Sequence, residues 1–338
     1  MKRAAAATVS LLASACSYQH YQSVIGDAGA NDHQFLVLFA IFLVVCSIMY
    51  VLVIAFLIAG ILRRRRAGQA NVVENGRHHD SGPLLRTGLI AWAALVGVGL
   101  FGLTVADFVA DRLDARAAAH ERLSITVTGN QWWWDVQYNS SDPSKTLHTA
   151  NELHVPVGVP TRITLRSNDV IHSFWLPSLA GKEDLIPGRE TDITIVPKKV
   201  GIYRGQCAEF CGVQHAHMAF VVNVDSYADF IKWWERQLQP AAAPAVPLAQ
   251  AGYNYVAQHQ CSMCHNIAGT SAGGTVGPDL THFASRRTVA AGALPMSERN
   301  LDAWIADPQS VKPGTKMPTI PMSADQRRAV VAYLGTLK

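Results

Sequence analysis

The stretch Cys207-Ala208-Glu209-Phe210-Cys211-Gly212-Val213-Gln214-His215-Ala216-His217-Met218 contains four candidate soft metal ligands, namely the thiols of Cys207 and Cys211, the imidazole of His215 and the thioether of Met218. A further imidazole, that of His172, lies upstream of the first cysteine. Thiolate, imidazole and thioether donors together favour copper over magnesium, calcium or manganese. The pattern therefore predicts a copper site in a domain that brings His172 to this loop.

The ligand types suit a pair of copper ions that share both thiolates. If Cys207 and Cys211 bridge two metals, each metal needs one imidazole and one weak axial donor. The candidate donors are two imidazoles, one thioether and one backbone carbonyl, from His172, His215, Met218 and Glu209. Spreading one electron over two metals keeps bond lengths nearly constant on reduction, which suits fast electron transfer. His217 is expected to face away from the site.

A second metal motif follows in the chain, because Cys261-Ser262-Met263-Cys264-His265 has the C-x-x-C-H spacing of covalent c-type haem attachment. The two cysteines would form thioether bonds, and His265 would be one axial ligand of the iron. A methionine as second axial ligand would raise the haem potential. Three methionines are candidates, namely Met296, Met317 and Met322. We favour Met317, because it follows a Pro-Gly pair and lies on an irregular loop.

Composition indicates a chain that is partly in a membrane. Charged residues make up 16% and hydrophobic residues 49% of the 338 residues, a length that predicts two to three domains. We see no basic and aromatic surface pattern, so nucleic acid is not expected as a partner. Four of the six cysteines belong to the two motifs, which argues against a disulfide framework. Cys46 lies in an apolar run and is expected to behave as a small hydrophobic residue.

The N-terminal part predicts export and membrane anchoring. Residues 1–16 have the basic start and short apolar core of a signal peptide, and Cys16 leaves a lipoprotein signal open as an alternative. Two uncharged runs, residues 35–62 and 87–106 within a segment of residues 30–110, are long enough to be transmembrane helices. The arginine block after the first run places the intervening loop in the cytoplasm. The N-terminus and everything after about residue 110 are then outside.

The remainder of the chain predicts one β domain and one helical domain. Residues 122–238 contain short alternating strands between glycine and proline turns, which is typical of a sandwich or barrel, and a final helix from 226 to about 237. Residues 239–247 form a linker rich in proline and alanine. Residues 248–338 are predicted to be helical. One helix ends near 259, a second lies near 297–306 and a third covers 323–337.

Two family resemblances rest on these motifs. The copper motif and three further segments, Gly129–Trp134, Asp169–Phe174 and Lys182–Arg189, resemble the dicopper (Cu-A) domain of subunit II of haem-copper cytochrome c oxidases. Gly277-Pro278-Asp279-Leu280 and Lys316-Met317-Pro318 resemble motifs of class I cytochromes c. The combination resembles subunit II of a caa-type oxidase. It implies a two-helix transmembrane hairpin, an all-β cupredoxin-like Greek-key barrel and an all-α cytochrome c domain.

The resemblance also implies roles for single residues. Trp132 corresponds to the residue through which electrons reach the copper pair. Glu209 is expected to bind copper through its carbonyl, with its carboxylate directed towards a magnesium ion at the interface with subunit I. Asp169 is expected on a docking or interface face. The family often has an acidic residue and Trp-Thr just before the second helix, whereas this chain has His78-His79-Asp80 in that region, which leaves the proton route open.

The resemblance implies that the chain passes electrons from a donor through haem c and the copper pair to subunit I, which reduces dioxygen. The implied partners are oxidase subunits I and III, membrane lipid, and a cytochrome c or membrane reductase as donor. The implied location is the bacterial inner membrane, multi-pass, with both redox domains on the periplasmic face. One alternative is the electron-accepting subunit of a Cu-A-containing nitric oxide reductase. Two others are a thioredoxin-like copper-delivery protein and a quinol oxidase subunit, which would lack the copper ligands.

Overall fold

A computed structural model describes residues 22–24, 28–66, 82–118 and 122–338 of the chain. These residues divide into two compact units, a pair of long helices between His33 and Ala117 and a second unit with the other described residues. The predicted signal peptide with Cys16 lies outside the described residues, as does the part of the interhelical loop that contains His78, His79 and Asp80.

The helical unit consists of α1 (Ala30–Arg66) and α2 (Gly82–Ala118). Their apolar parts, Phe35–Arg63 and Arg86–Val109, are 29 and 24 residues long and are apolar enough to cross a membrane. At 1.5 Å per residue, the shorter one reaches about 36 Å, more than the hydrocarbon core of about 30 Å. Both helices continue past the predicted apolar runs, because the flanking arginines and alanines are good helix formers.

Ten strands form two five-stranded sheets in the part of the second unit that we call the β module (residues 122–238). The strands are β1 (Leu123–Asn130), β2 (Trp133–Tyr138), β3 (Leu147–Ala150), β4 (Glu152–Pro156), β5 (Thr161–Ser167), β6 (His172–Trp175), β7 (Lys182–Leu185), β8 (Thr191–Ile195), β9 (Gly201–Cys207) and β10 (Ala219–Asp225). One sheet has the order β3-β2-β1-β5-β8 and the other β4-β10-β9-β6-β7. This architecture confirms the predicted cupredoxin-like fold and excludes the thioredoxin-like alternative.

The core of the β module lies between the two sheets. Burial alternates along β1 and β2, as expected for strands with one face in a core. Trp134 contacts Phe174 and Phe220 edge-on, at centroid distances of 5.8 and 5.4 Å, and all three rings are almost fully buried. Helix α3 (Tyr227–Gln237) closes the module and begins after Ser226, whose side chain accepts a hydrogen bond from the Asp229 N–H.

The second sheet brings distant parts of the metal motif together. Strands β10, β9 and β6 are neighbours in that order. His172 is the first residue of β6, Cys207 the last of β9, and Met218 immediately precedes β10. The β6–β9 register pairs Phe174 with Cys207, so the predicted upstream histidine lies beside the first cysteine. The loop 208–218 then lies at this end of the sheet.

The remaining residues form what we call the helical module (residues 239–338). Its elements are α4 (Pro247–Gln258), α5 (Cys261–Cys264), a short ladder of β11 (Thr288–Val289) with β12 (Leu294–Pro295), α6 (Glu298–Ala306), α7 (Pro308–Val311) and α8 (Ala324–Leu334). Helices α4 and α8 pack closely at Gly252, where a Cβ would lie 2.0 Å from the Ala329 carbonyl oxygen. Helix α8 begins with a capping box of Ser323 and Gln326 and ends at Leu334. The predicted end of this helix at residue 337 was wrong, because Gly335 is the C-cap residue.

The predicted linker is hydrogen-bonded to the helical module. The Ala241 N–H donates to the Ala268 carbonyl at 2.9 Å, and the Gln239 carbonyl lies 3.0 Å from Nε2 of His282. Helix α4 begins at Pro247, the last residue of the predicted linker. The proline-rich segment therefore follows a defined path over part of its length.

Buried polar side chains lie where β4 and β10 pair in parallel. Nδ1 of His154 is 2.7 Å from the carboxylate of Asp225. The carboxylate of Glu152 accepts hydrogen bonds of 2.8 Å from the Asn223 side chain and from the Arg287 N–H of the helical module. Burial opposes charge on both titratable groups, yet these hydrogen bonds raise the pKa of His154 and lower the pKa of Glu152. The cluster therefore favours an imidazolium between carboxylates.

The substitution His154→Phe should destabilise the chain more at low pH than at high pH. Phenylalanine keeps the stacking on Trp233, where the ring centroids are 4.3 Å apart, but leaves both carboxylates without the imidazolium. Since the folded pKa of His154 is raised, its contribution is complete below the unfolded value of about 6.5 and is lost as pH rises through the folded value. We expect a loss of about 1–3 kcal/mol in unfolding free energy near pH 6 and a smaller loss near pH 9.

Denaturant unfolding of the purified chain at the two pH values measures the difference. The exposed histidine of β3 provides a matched control, since His148→Phe should change stability little at either pH. An equal loss for His154→Phe at both pH values would contradict the predicted charge on the imidazole.

Candidate metal centres

The two cysteines of the first motif face each other inside the β module. Cys207 ends β9 and Cys211 lies in the following loop, with their Sγ atoms 3.8 Å apart and both side chains buried. This distance is far longer than a disulfide bond of about 2.05 Å. The hydrogen bond between the sulfurs lowers the pKa of Cys207 to about 4 and raises the pKa of Cys211. The contact between the sulfurs therefore favours a thiolate at Cys207, the form that binds metal.

Each cysteine has its own imidazole. Nδ1 of His172 lies 3.9 Å from Sγ of Cys207, and Nδ1 of His215 lies 3.6 Å from Sγ of Cys211. The other ring nitrogen of His172 is 2.8 Å from the carboxylate of Asp169, which orients the ring and leaves Nδ1 for a metal. His172, Cys207 and Cys211 form a group whose ligand atoms all lie within 4.8 Å of one another.

Each cysteine also has one weak donor nearby. The backbone carbonyl oxygen of Glu209 lies 3.2 Å from Sγ of Cys207, and Sδ of Met218 lies 3.8 Å from Sγ of Cys211. Each half of the site therefore has one sulfur, one imidazole and one weak donor. His217 is exposed, and its Nδ1 is 2.8 Å from the side-chain oxygen of Gln214, so it takes no part in the cluster.

The distance between the two sulfurs would allow both of them to bind the same metal ion. Metal–thiolate bonds are about 2.3 Å, so two sulfurs can bind the same ion when they are less than about 4.6 Å apart. The sulfurs of Cys207 and Cys211 meet this condition at 3.8 Å. Buried sulfur and nitrogen donors of this kind suit copper and disfavour the hard cations.

Trp132 lies against the backbone of the cysteine loop. Its indole Nε1 donates a 3.0 Å hydrogen bond to the carbonyl of Cys211, and Nε2 of Gln131 donates to the same oxygen at 2.8 Å. Gly212 follows in the loop with φ of +115°, and a Cβ there would lie 2.9 Å from the indole of Trp132. Only glycine fits this position, so the Cys-Gly pair of the motif reflects contact with the tryptophan.

The second motif builds a haem-binding cradle in the helical module. Cys261 and Cys264 occupy the single turn of α5, and His265 follows it. Nδ1 of His265 donates a 2.7 Å hydrogen bond to the carbonyl of Pro278, which leaves Nε2 for a metal. Burial lowers the pKa of His265, so the ring is held in the neutral, ligating form. A Cβ on Gly277 would lie 2.7 Å from this ring, which requires glycine there.

An apolar cavity beside His265 contains two of the three candidate methionines. Met317 and Met322 both line it, together with Cys261 and His265. Met296 is absent from the cavity lining and packs instead against the helical core. The donor set and the apolar lining fit a haem held by two thioethers, one imidazole and one thioether sulfur. The geometry leaves Met317 and Met322 as alternatives.

Three residues with unusual environments were missed by sequence analysis. Lys312 is 2% exposed and contacts both modules. Arg286 is buried, its Nε has no hydrogen-bond partner among the described residues, and burial lowers its pKa. Gln131 binds the Cys211 carbonyl. Lys312 and Gln131 contact residues that are 180 and 80 positions away, so no local signal predicts these contacts. Gln131 lies within the segment Gly129–Trp134, but the resemblance gave it no role.

Asp169 links the two modules at this site, and its place on a docking or interface face stays a prediction. Its carboxylate accepts hydrogen bonds from the backbone N–H groups of Gln131 and Val170, at 2.7 and 2.9 Å, and lies 2.8 Å from Nε2 of His172. The ammonium of Lys316 from the helical module lies 3.1 Å away. The hydrogen bonds lower the pKa of Asp169 despite the opposing effect of its burial.

Comparison with known proteins gives two family matches. Residues 139–225 match the family "Cytochrome C oxidase subunit II, periplasmic domain", and residues 249–338 match the family "Cytochrome c". Cytochrome c oxidase subunit 2 of Alkalihalophilus pseudofirmus is 30% identical over 88% of this chain and 85% of that protein. Cytochrome c oxidase subunit 2 of Bacillus subtilis is 30% identical over 98% of this chain and 96% of that protein. The solved periplasmic domain of subunit II of the Bradyrhizobium japonicum cytochrome oxidase is 32% identical, with a TM-score of 0.33, over 35% of this chain and 94% of that domain.

Proposed function

The chain belongs to the cytochrome c oxidase subunit II family, and we propose that its two motifs bind a shared copper pair and a covalent haem c. It is an electron-transfer subunit of a cytochrome c oxidase, with oxygen reduction on another chain. When bound, the copper pair and the haem would each carry one electron at a time. The relatives are oxidase subunits, which favours this function over nitric oxide reduction.

The cluster of Cys207, Cys211, His172 and His215 is the observation that carries the proposal. Two sulfurs at 3.8 Å, each with an imidazole nitrogen within 4 Å, form a donor set that suits a bridged pair of soft metals. Asp169 fixes the orientation of His172, and the fully buried position of that ring keeps water from the donors. In the helical module, the Pro278 carbonyl holds His265 in one tautomer.

Several finer assignments extend this proposal. Trp132 would be the residue through which electrons reach the copper pair, supported by its hydrogen bond to Cys211. Met317, which lines the haem cavity together with Met322, would be the second axial ligand, supported by the resemblance of Lys316-Met317-Pro318 to the class I cytochrome c motif. The side chain of Glu209 is half-buried, and its carboxylate would bind magnesium at the subunit I interface.

Family membership and the two apolar helices support the following proposals for partners and location. Other oxidase subunits are partners, and we propose subunits I and III, together with surrounding lipid. The donor would be a cytochrome c or a membrane reductase. The chain is a membrane protein with a periplasmic domain, and the proposed topology places the loop after Arg66 inside and both metal-binding modules outside, since arginines favour the cytoplasmic side.

Purification of the oxidase complex with this chain tests the proposal. We expect two copper ions and one haem c per chain in the subunit, and a seven-line copper hyperfine pattern in electron paramagnetic resonance, because the unpaired electron is shared equally. The complex should consume dioxygen when supplied with reduced cytochrome c. A four-line copper spectrum would argue for a single copper ion, and consumption of nitric oxide alone would favour the reductase.

A further inference from the structure

The side-chain nitrogen of Lys312 is buried and has three hydrogen-bond acceptors. It lies in the helical module directly after α7 and is 2% exposed. Its Nζ donates to the backbone carbonyls of Trp132 at 2.7 Å, His217 at 2.8 Å and Ala290 at 3.0 Å. An ammonium group has three donors and no acceptor, so its hydrogen-bonding capacity is used completely. Two of the acceptors belong to the β module.

A lysine in this position is unusual. Lysine is almost never fully buried, because removal of a charge from water is costly unless hydrogen bonds replace the hydration shell. An apolar side chain could fill the same space without that cost. A buried polar group that is fully hydrogen-bonded can instead fix one relative arrangement of two surfaces, since any shift leaves a charged donor unpaired.

The acceptors connect Lys312 to the copper ligands. Trp132 donates its indole N–H to the carbonyl of Cys211. His217 directly precedes Met218, the predicted thioether ligand. A displacement of Lys312 would therefore disturb the contact of the helical module with both sides of the cysteine loop.

The same lysine lies close in sequence to the predicted haem ligand. A segment of six residues runs from one to the other, and we call it the clasp loop (Lys312–Met317). The side-chain nitrogen of Gln309 donates to the carbonyls of Thr315 and Met317, at 2.8 and 3.0 Å, and ties this loop to α7. The loop is therefore held at its start by the β module and at its end by its own module.

Further contacts make the clasp loop fit the β module closely. Nε2 of Gln214 donates to the carbonyl of Pro313 at 2.8 Å. Gly314 has φ of +86°, and a Cβ there would lie 3.1 Å from the side chain of Val213 and 3.5 Å from the indole of Trp132. The loop thus covers Trp132, whose side chain is 8% exposed.

We propose that Lys312 is a positioning residue that fixes the clasp loop on the backbone of Trp132 and His217 and so sets the separation of the haem and copper sites. The proposal rests on the metal centres proposed above. It makes electron transfer between the two modules depend on one buried side chain that binds neither metal.

The substitution Lys312→Met, which keeps most of the side-chain volume, tests the role in positioning. In the purified oxidase we expect haem-to-copper electron transfer after photoreduction of the haem to be slower by several-fold, because electron tunnelling weakens exponentially as the separation of the two centres grows. Hydrogen exchange should increase in peptides that contain Trp132 and His217. The copper resonance and the haem spectrum should stay unchanged. Lys145→Met is the control, because Lys145 is 61% exposed on the β module.

Amine labelling of the unsubstituted oxidase tests the same proposal without a variant. Acetylation should modify Lys145 readily and leave Lys312 unmodified until the chain is unfolded. Labelling of Lys312 as fast as Lys145 would overturn the proposal, as would transfer at the original rate in Lys312→Met. Slow transfer with an altered copper or haem spectrum would also overturn it. A missing seven-line signal in the unsubstituted oxidase would instead contradict the proposed copper pair, which separates the two failures.

Discussion

The substitution Cys207→Ser should abolish the shared copper centre and reduce oxygen consumption of the complex by more than about 100-fold. Changes to residues that only support metal ligands weaken metal sites by about 10- to 100-fold, and loss of a bridging sulfur should exceed this. Cys207 is also the sulfur nearest to His172 and to the Glu209 carbonyl. A serine hydroxyl stays protonated at neutral pH and is a hard donor, so it cannot replace the thiolate.

Metal analysis and electron paramagnetic resonance measure this effect directly. We expect the variant to lose the seven-line pattern and to hold one copper or none, while the haem content stays constant because the haem cysteines lie in the other module. Cys46→Ser is the matched control, since this free cysteine is exposed on α1 and far from the motif in sequence. Retention of two copper ions with a seven-line spectrum in Cys207→Ser would refute the bridging role of this sulfur.

The substitution Met317→Leu should lower the potential of the haem without releasing it. The thioether bonds of Cys261 and Cys264 would keep the haem attached, whereas the iron would lose its sulfur ligand. Because methionine ligation raises haem potentials, and axial ligands tune them over about 0.8 V, we expect a fall on the order of 0.1 V or more. Electron transfer from haem to copper should then be altered, and the sulfur-to-iron charge-transfer band should disappear.

A redox titration followed by absorbance of haem c measures the change. Met322→Leu is the matched control, because Met322 lines the same cavity and the substitution has the same size and chemistry. We expect the control to keep the potential and the charge-transfer band. The reverse result, with loss of the band only in Met322→Leu, would assign the axial role to Met322 and disprove the assignment to Met317.

Much of the copper site could be predicted because most of its candidate ligands are close in sequence. Cys207 to Met218 form one loop, so a contiguous pattern carries most of the donor set. His172 was predictable as a candidate, but its distance from Cys207 depends on the pairing of β6 with β9. The alternating strands of the β module also predicted its fold, because alternation follows directly from one buried face.

Contacts between the modules could not be predicted from the sequence. The hydrogen bond from Lys312 to the Trp132 carbonyl joins residues 180 positions apart, and a lysine near a proline and a glycine is typical of a solvated loop. The hydrogen bond from the Arg287 N–H to Glu152 likewise involves a backbone group, which carries no residue-specific signal. The end of α8 was predicted too late for a different reason. Thr336 and Leu337, which follow the C-cap residue Gly335, are both compatible with a helix.

The coverage of Trp132 by the clasp loop has a consequence for how such a chain could change its electron donor over evolution. With its indole 8% exposed, Trp132 is shielded by the chain's own residues from a soluble protein that approaches the β module. We therefore expect adaptation to a new donor to change the surface around Met263 and Val276, which are each 72% exposed beside the haem attachment site. Trp132 and its surroundings could then adapt to receive electrons only from the haem of the same chain.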